Sequence, residues 1–116
     1  RYIYFDKEVI KSILNNLLNN ASKYTDKGCI GLLLTQVVKA QHQYSCIKVW
    51  DTGCGISQEA ISHIFEQYYQ AKGKHQASGT GIGLALVKRL CELHHIQISV
   101  DSQLNEGTKF ILLIEN

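Results

Sequence analysis

ASGTGIGLALVKRL, residues 77–90, places glycines at 79, 81 and 83 and then starts an apolar run with two basic residues at helical spacing. A glycine loop that opens a helix offers unpaired backbone N–H groups and the positive end of the helix dipole, and both suit a phosphate. Two common phosphate-binding patterns fail on the residues that follow. A dinucleotide fingerprint needs Gly or Ala at 84 or 86, where this chain has Leu84 and Leu86, and the Gly-Lys-Ser/Thr ending of a P-loop is absent. The loop has to be read against the rest of the chain.

The chain has 116 residues, 45% of them hydrophobic and 19% charged, which fits one domain able to bury a core. A formal charge of +2 is too small to argue for nucleic acid or a membrane surface. No apolar run approaches the length of a membrane span. Cys29, Cys46, Cys54 and Cys91 form no CxxC pair, and the adjacent His94 and His95 would point to different faces of a helix, so no metal-ligand spacing is present. The chain starts at Arg1 inside an apparent strand, as a piece of a longer protein would.

Periodicity gives the order β α β β α α β β. YIYF, residues 2–5, reads as a short strand. Asp6 suits an N-cap, and Ile10, Ile13, Leu14, Leu17, Leu18 and Ala21 recur at helical spacing in a helix to about Tyr24. Strands are expected over 29–38 and 45–50, joined by a polar loop around Gln41 to Gln43. A helix follows at about 58–67, then a Gly/Lys/Ser-rich loop over 70–80 and a third helix to about His94. Ile96, Ile98 and Val100 alternate with polar residues, and Phe110 to Ile114 form the closing strand.

On the first helix Asn16, Asn20, Lys23 and Tyr24 share an arc about 100° wide at the border of the apolar face. Glu8, Lys11, Asn15 and Asn19 take the open face instead. Two amides, an ammonium and a phenol at a core border need partners. In DTGCGIS, residues 51–57, Asp51 ends a strand and Gly53 and Gly55 allow a ligand close to the backbone. A lone acceptor carboxylate there suits an amino group on a heterocycle, such as the exocyclic amine of adenine.

Together these elements resemble, in order and spacing, the Bergerat-fold ATPases, the superfamily of gyrase B, MutL, the heat-shock chaperone ATPase and the sensor histidine kinases. Asn16-Leu-Leu-Asn-Asn20-Ala-Ser-Lys23-Tyr24 resembles the N box, and Asp51-Thr-Gly53-Cys-Gly55-Ile56 the G1 box. Ile64-Phe65-Glu66-Gln67-Tyr68-Tyr69 resembles the F box, and Gly79-Thr80-Gly81-Ile82-Gly83-Leu84 the G2 box. Gly107-Thr108-Lys109-Phe110 is similar to the family's terminal hairpin. The resemblance implies an α+β fold, a two-layer α/β sandwich whose mixed, mostly antiparallel sheet packs against three helices, in one catalytic and ATP-binding domain over residues 1–116. It implies ATP and Mg²⁺ as ligands. Asn20 corresponds to the Mg²⁺ ligand, Lys23 to a phosphate-binding cation, Tyr24 to a residue lining adenine and ribose, and Asp51 to the adenine-reading carboxylate. Residues 68–80 correspond to an ATP lid, in which Lys72, Lys74 and His75 read first as solvated loop residues and in second place as charge for the phosphates.

The residue four before the Mg²⁺ Asn selects the branch. ATP-hydrolysing members usually carry Glu there as a general base, whereas this chain has Asn16, whose amide cannot take a proton. Neutral imidazole needs no such base near pH 7, so Asn16 with Asn20, together with the F box, resembles the sensor histidine kinases. That resemblance implies phosphoryl transfer, with Asn16, Asn20 and Lys23 as the catalytic set, to a histidine on a separate dimerisation and phosphoacceptor domain. A response regulator would act downstream, without nucleic acid, and a monomeric fragment would come from a homodimeric, membrane-anchored bacterial parent with this domain in the cytoplasm. His63 is followed by Ile64 rather than an acidic residue and is not the acceptor. A nucleotide-binding pseudokinase, or a gyrase- or chaperone-type ATPase, is the competing reading. The sequence Leu93-His94-His95-Ile96 lacks the His-Gly-Gly that family members often have there, so a differently shaped turn is expected.

Overall fold

The computed structural model describes residues 6–25, 27–66 and 83–115. The strand expected over 2–5, the lid over 68–80 and the G2 glycines at 79 and 81 lie outside the described residues. Helix α1 spans Lys7–Lys23, strand β1 Ile30–Lys39, strand β2 His42–Asp51 and helix α2 Gln58–Ile61. Helix α3 spans Gly83–Leu93, strand β3 Gln97–Gln103 and strand β4 Gly107–Glu115.

Asp6 starts α1 by accepting the backbone N–H groups of Glu8 at 2.9 Å and Val9 at 3.3 Å, which satisfies two donors that have no partner within the helix. Its apolar stripe buries Ile10, Ile13, Leu17 and Ala21, while Glu8, Lys11, Asn15 and Asn19 are exposed as expected. Ile13 and Leu17 are fully buried, and each such side chain contributes about 1.5–3 kcal/mol of transfer free energy. The helix packs on α3 and β2.

The sheet runs in the order β1-β2-β4-β3, and every pairing among the described residues is antiparallel. Its inner face carries Ile47 and Val49 of β2 and Phe110, Leu112 and Ile114 of β4, which meet Ile10, Ile13 and Leu17 of α1 and Val87 and Cys91 of α3 in one core. This is the expected two-layer arrangement. Strand β1, outermost among the described residues, leaves Leu34 62% and Val38 72% exposed, a long apolar strand without proline or bulge.

Three expectations need correction. The loop around Gln41 to Gln43 is a two-residue hairpin instead, with Ala40 at φ 51° and Gln41 at φ 67°, and the strands continue to Lys39 paired with His42. Two successive left-handed residues match the twist of a hairpin, and the polar run marks an exposed strand end rather than a loop. Helix α2 stops at Ile61, not near 67, and continues as tight turns in which His63 N–H donates to Ala60 O at 2.8 Å and Glu66 N–H to His63 O at 3.0 Å. The Ser62 hydroxyl donates to Glu59 O at 3.2 Å, a local alternative to regular winding. Tight turns also put Ile64 in the core and Phe65 edge-on to Phe110, with ring centroids 6.3 Å apart.

The third concerns the turn after α3, where no glycine stands. His95 itself takes the left-handed conformation, φ 57°, and Ile96 N–H closes the helix onto Cys91 O at 2.9 Å. The turn keeps a glycine-type shape with a side chain in place, at a cost of about 1–2 kcal/mol. The four cysteines are free thiols, and burial pushes the Cys91 thiol up to about 11, which leaves it protonated and inert near neutrality.

Candidate nucleotide site

The site gathers where β2 ends. Asp51, 7% exposed, is the last residue of that strand, and its Oδ1 accepts the Gly53 N–H at 2.8 Å in a tight turn. Two neighbours clamp the turn. On one side the loop after α1 is joined to it: Thr52 N–H donates to Cys29 O at 3.0 Å, Cys29 N–H to Thr52 Oγ1 at 2.8 Å, and Cys54 N–H to Tyr24 O at 3.2 Å. On the other, Asn105 N–H of the β3–β4 hairpin donates to Cys54 O at 2.8 Å.

Two glycines make this packing possible. Gly55 has φ 73°, and a Cβ there would run into Gln103 O of the hairpin. Gly107 has φ 118°, and a Cβ there would run into Asp51 O itself. Both conformations are ones that residues with a side chain rarely adopt. They let three backbone segments meet around one carboxylate.

Burial pushes the Asp51 pKa above its ordinary value. The N–H groups of Gly53 and Thr108 and the nearby Thr25 hydroxyl pull the other way without cancelling it. Thr25 Oγ1 approaches the carboxylate without hydrogen-bond geometry, and this buried oxygen has no partner among the described residues. An unpartnered buried hydroxyl beside a buried carboxylate is a place for a polar group from elsewhere, because leaving it unmatched costs about 1–3 kcal/mol. Thr25 was not among the residues singled out from sequence, although it directly follows Tyr24.

Thr108 stands directly opposite Asp51 in the β2–β4 register, so the two share the helix-facing side of the sheet, and it too is 7% exposed. Behind it lies Ser102, 3% exposed, which sequence reading also passed over. Its signal was present. Continuing the alternation of Ile96, Ile98 and Val100 puts Ser102 on the inner face, a polar residue where an apolar one belongs. Its Oγ accepts the Ile56 N–H at 2.8 Å, and Gln58 Nε2 donates to its carbonyl at 3.2 Å. Ile56 is thereby tied to the hairpin.

On α1 Asn16, Asn20, Lys23 and Tyr24 are all half-buried, and the Tyr24 carbonyl at the helix end meets the Asp51 turn through Cys54 N–H. Asn16 Nδ2 donates to Ser12 O at 2.9 Å, and its Oδ1 lies against Gly83, the first described residue of α3. Leu84 packs on the core from the same turn. Asn20 makes no side-chain hydrogen bond among the described residues, so its amide oxygen is available as a hard ligand of the kind Mg²⁺ takes. The Lys23 ammonium stands 5.2 Å from the centroid of the Tyr24 ring. Burial raises the Tyr24 phenol pKa, and Cys54 raises it further. Tyr68, Gly79, Thr80, Gly81 and Ile82, and with them Lys72, Lys74 and His75, lie outside the described residues. His63 is exposed and pairs with Glu66 at 2.7 Å, apart from the site.

A family model described as histidine kinase-, DNA gyrase B-, and HSP90-like ATPase matches residues 5–116. The chain belongs to this family. Within it, the chain is 33% identical to Histidine kinase 5 of Arabidopsis thaliana over 90% of its own length and 14% of the relative's. It is 38% identical to sensor histidine kinase YvrG of Bacillus subtilis (strain 168) over 95% of its length and 19% of that protein's. It thus spans less than a fifth of either relative. Among solved structures, full-length ShkA in complex with AMPPNP superposes with a TM-score of 0.74 at 32% identity, over 94% of this chain and 22% of that one. No helix among the described residues is long and apolar enough to cross a membrane.

Proposed function

We propose that this chain is the ATP-binding catalytic domain of a sensor histidine kinase, which presents the γ-phosphate of ATP to a histidine on a separate dimerisation and phosphoacceptor domain. The observation that carries the reading is the buried Asp51 carboxylate at the strand end, with Thr108 paired opposite it and a Thr25 hydroxyl nearby that has no partner among the described residues. An amino group on a purine supplies the donor such a carboxylate lacks, whereas a carbonyl in that place adds a further acceptor. The kinase relatives and the AMPPNP complex of ShkA support the same assignment.

In this reading Asp51 and Thr108 read the base, Gly53, Gly55 and Ile56 form the wall it approaches, and Tyr24 lines its edge. Lys23 supplies positive charge to the phosphates, and Asn20 offers its amide oxygen to Mg²⁺. The metal, when bound, would neutralise phosphate charge and leave most of its coordination to phosphate and water. Gly83 and Leu84 begin the helix behind the phosphates, with Tyr68, Gly79 and Thr80 in the lid and Gly81 and Ile82 following it. Asn16 takes no proton. The acceptor imidazole attacks phosphorus with its own lone pair, the bond to the bridging oxygen breaks, and ADP leaves, so the domain contributes positioning and electrostatics. The acceptor domain, a downstream response regulator, a homodimeric parent and a cytoplasmic, membrane-anchored setting belong to this proposal.

Calorimetric titration with AMPPNP tests the metal ligand. Binding by the unaltered chain is expected to weaken when EDTA removes Mg²⁺. Asn20→Ala should bind in Mg²⁺ only as tightly as the unaltered chain does in EDTA. An Asn20→Ala chain that keeps the full Mg²⁺ enhancement contradicts the assignment.

A further inference from the structure

Ser102 has a hydrogen-bond arrangement that only one placement of protons satisfies. Its Oγ lies 2.8 Å from Ile56 N, 2.9 Å from Gly107 O and 2.8 Å from Thr108 Oγ1. A serine hydroxyl has one proton and two lone pairs. The Ile56 amide can only donate, so it occupies one lone pair. The Gly107 carbonyl can only accept, so it takes the serine proton. The second lone pair is left for Thr108, whose hydroxyl must therefore donate to Ser102. With Ser102 and Thr108 at 3% and 7% exposure, water offers no ready alternative to this network.

The consequence falls on the other side of Thr108. Its single proton is turned back into the hairpin, so the face toward Asp51 carries lone pairs alone. We propose that Ser102 is a positioning residue that fixes the Thr108 hydroxyl as an acceptor, so that Asp51 and Thr108 together admit a 6-aminopurine and disfavour a 6-oxopurine. A threonine free to rotate would donate to a 6-carbonyl and blunt that discrimination. The proposal rests on Asp51 and Thr108 reading the base, and it assigns the selectivity of that pair to a residue outside it.

The test compares ATP with ITP, whose bases differ at the 6-position and the adjoining ring nitrogen, by equilibrium binding to the 116-residue chain. Ser102→Ala should lower the ATP-over-ITP affinity ratio by about fivefold, in the range of one neutral hydrogen bond. Ser102→Thr, which keeps the hydroxyl, should retain the ratio. In a Thr108→Val background, which has no hydroxyl to orient, Ser102→Ala should change the ratio no further, whereas a purely structural serine gives additive losses. An unchanged ratio in Ser102→Ala, equal weakening for both nucleotides, or additivity with Thr108→Val overturns the proposal. If Ser102→Ala does not fold, Ser102→Cys replaces it, with a weaker donor expected to lower the ratio partway and an unchanged ratio counting against the proposal. Asp51→Asn separates the layers. Lost ATP binding there with an unmoved ratio in Ser102→Ala overturns the serine's role alone, whereas intact ATP binding overturns the base-reading site and the serine's role with it.

Discussion

Asp51→Asn is expected to lose ATP binding by about tenfold to a hundredfold while the chain keeps, or gains, thermal stability. The loss follows because a hydrogen bond to a charged acceptor is worth about 1.5–3 kcal/mol and the amide presents a donor where the base presents one too. The stability follows from burial, which raises the carboxyl pKa in the folded chain. The folded state then holds its proton at pH values where the unfolded state has released it, so stability falls as pH rises through that window and the ionised group costs stability at neutral pH. Asparagine removes that cost and still offers an oxygen to the Gly53 N–H. Nucleotide binding has the opposite dependence. It requires the carboxylate, so ATP affinity should decline on acidification, starting at a higher pH than an exposed Asp would set. Titrations across pH and a thermal melt of both chains check this. An Asp51→Asn chain that binds ATP normally contradicts the site.

Gly107→Val should be the most damaging single change to both fold and site. With φ at 118°, the added Cβ runs into Asp51 O and stands 2.9 Å from Thr52 Cα, both on backbone that cannot swing aside. Either β4 parts from β2 at the site end or the Asp51 turn shifts. The strained backbone and the overlap together predict a loss of about 3 kcal/mol or more. For a domain of this size that is a fall in Tm of about 10 °C or more, with ATP binding lost in the folded fraction. Gly107→Ala should fall short of this but in the same direction. A Gly107→Val chain melting within a few degrees of the original would mean the hairpin is not seated against Asp51 as described.

Much of the architecture was legible because its signals are periodic. Helix α1 repeats six apolar residues at helical spacing, and β3 alternates strictly, so each announces its shape and buried face. The β1–β2 hairpin is hidden in the sequence because Ala40-Gln41 carries none of the glycine or asparagine that normally marks two left-handed residues. The end of helix α2 is masked in the sequence because Ile64 and Phe65 keep a helical spacing while tight turns deliver them to the core. At the site, Asp51 and the α1 stripe were legible as motif residues. Thr25 and Ser102 were not, since the first matters through a missing hydrogen bond and the second through proton placement in a network spanning 46 residues of sequence. Such relations exist only after folding. Asn16 had a role from sequence, but not its bond to Ser12 O or its contact with Gly83.

Phosphoryl transfer in trans tests the central proposal most directly. The purified chain, γ-labelled ATP with Mg²⁺, and a separately expressed dimerisation and phosphoacceptor domain of a sensor histidine kinase are mixed, and labelled residues are identified by mass spectrometry. The predicted result is an acid-labile label on a histidine of the acceptor domain, dependent on Asn20 and Asp51, with none on this chain alone. ATP binding without label on any acceptor histidine, or steady release of phosphate to water in its place, would contradict the kinase reading.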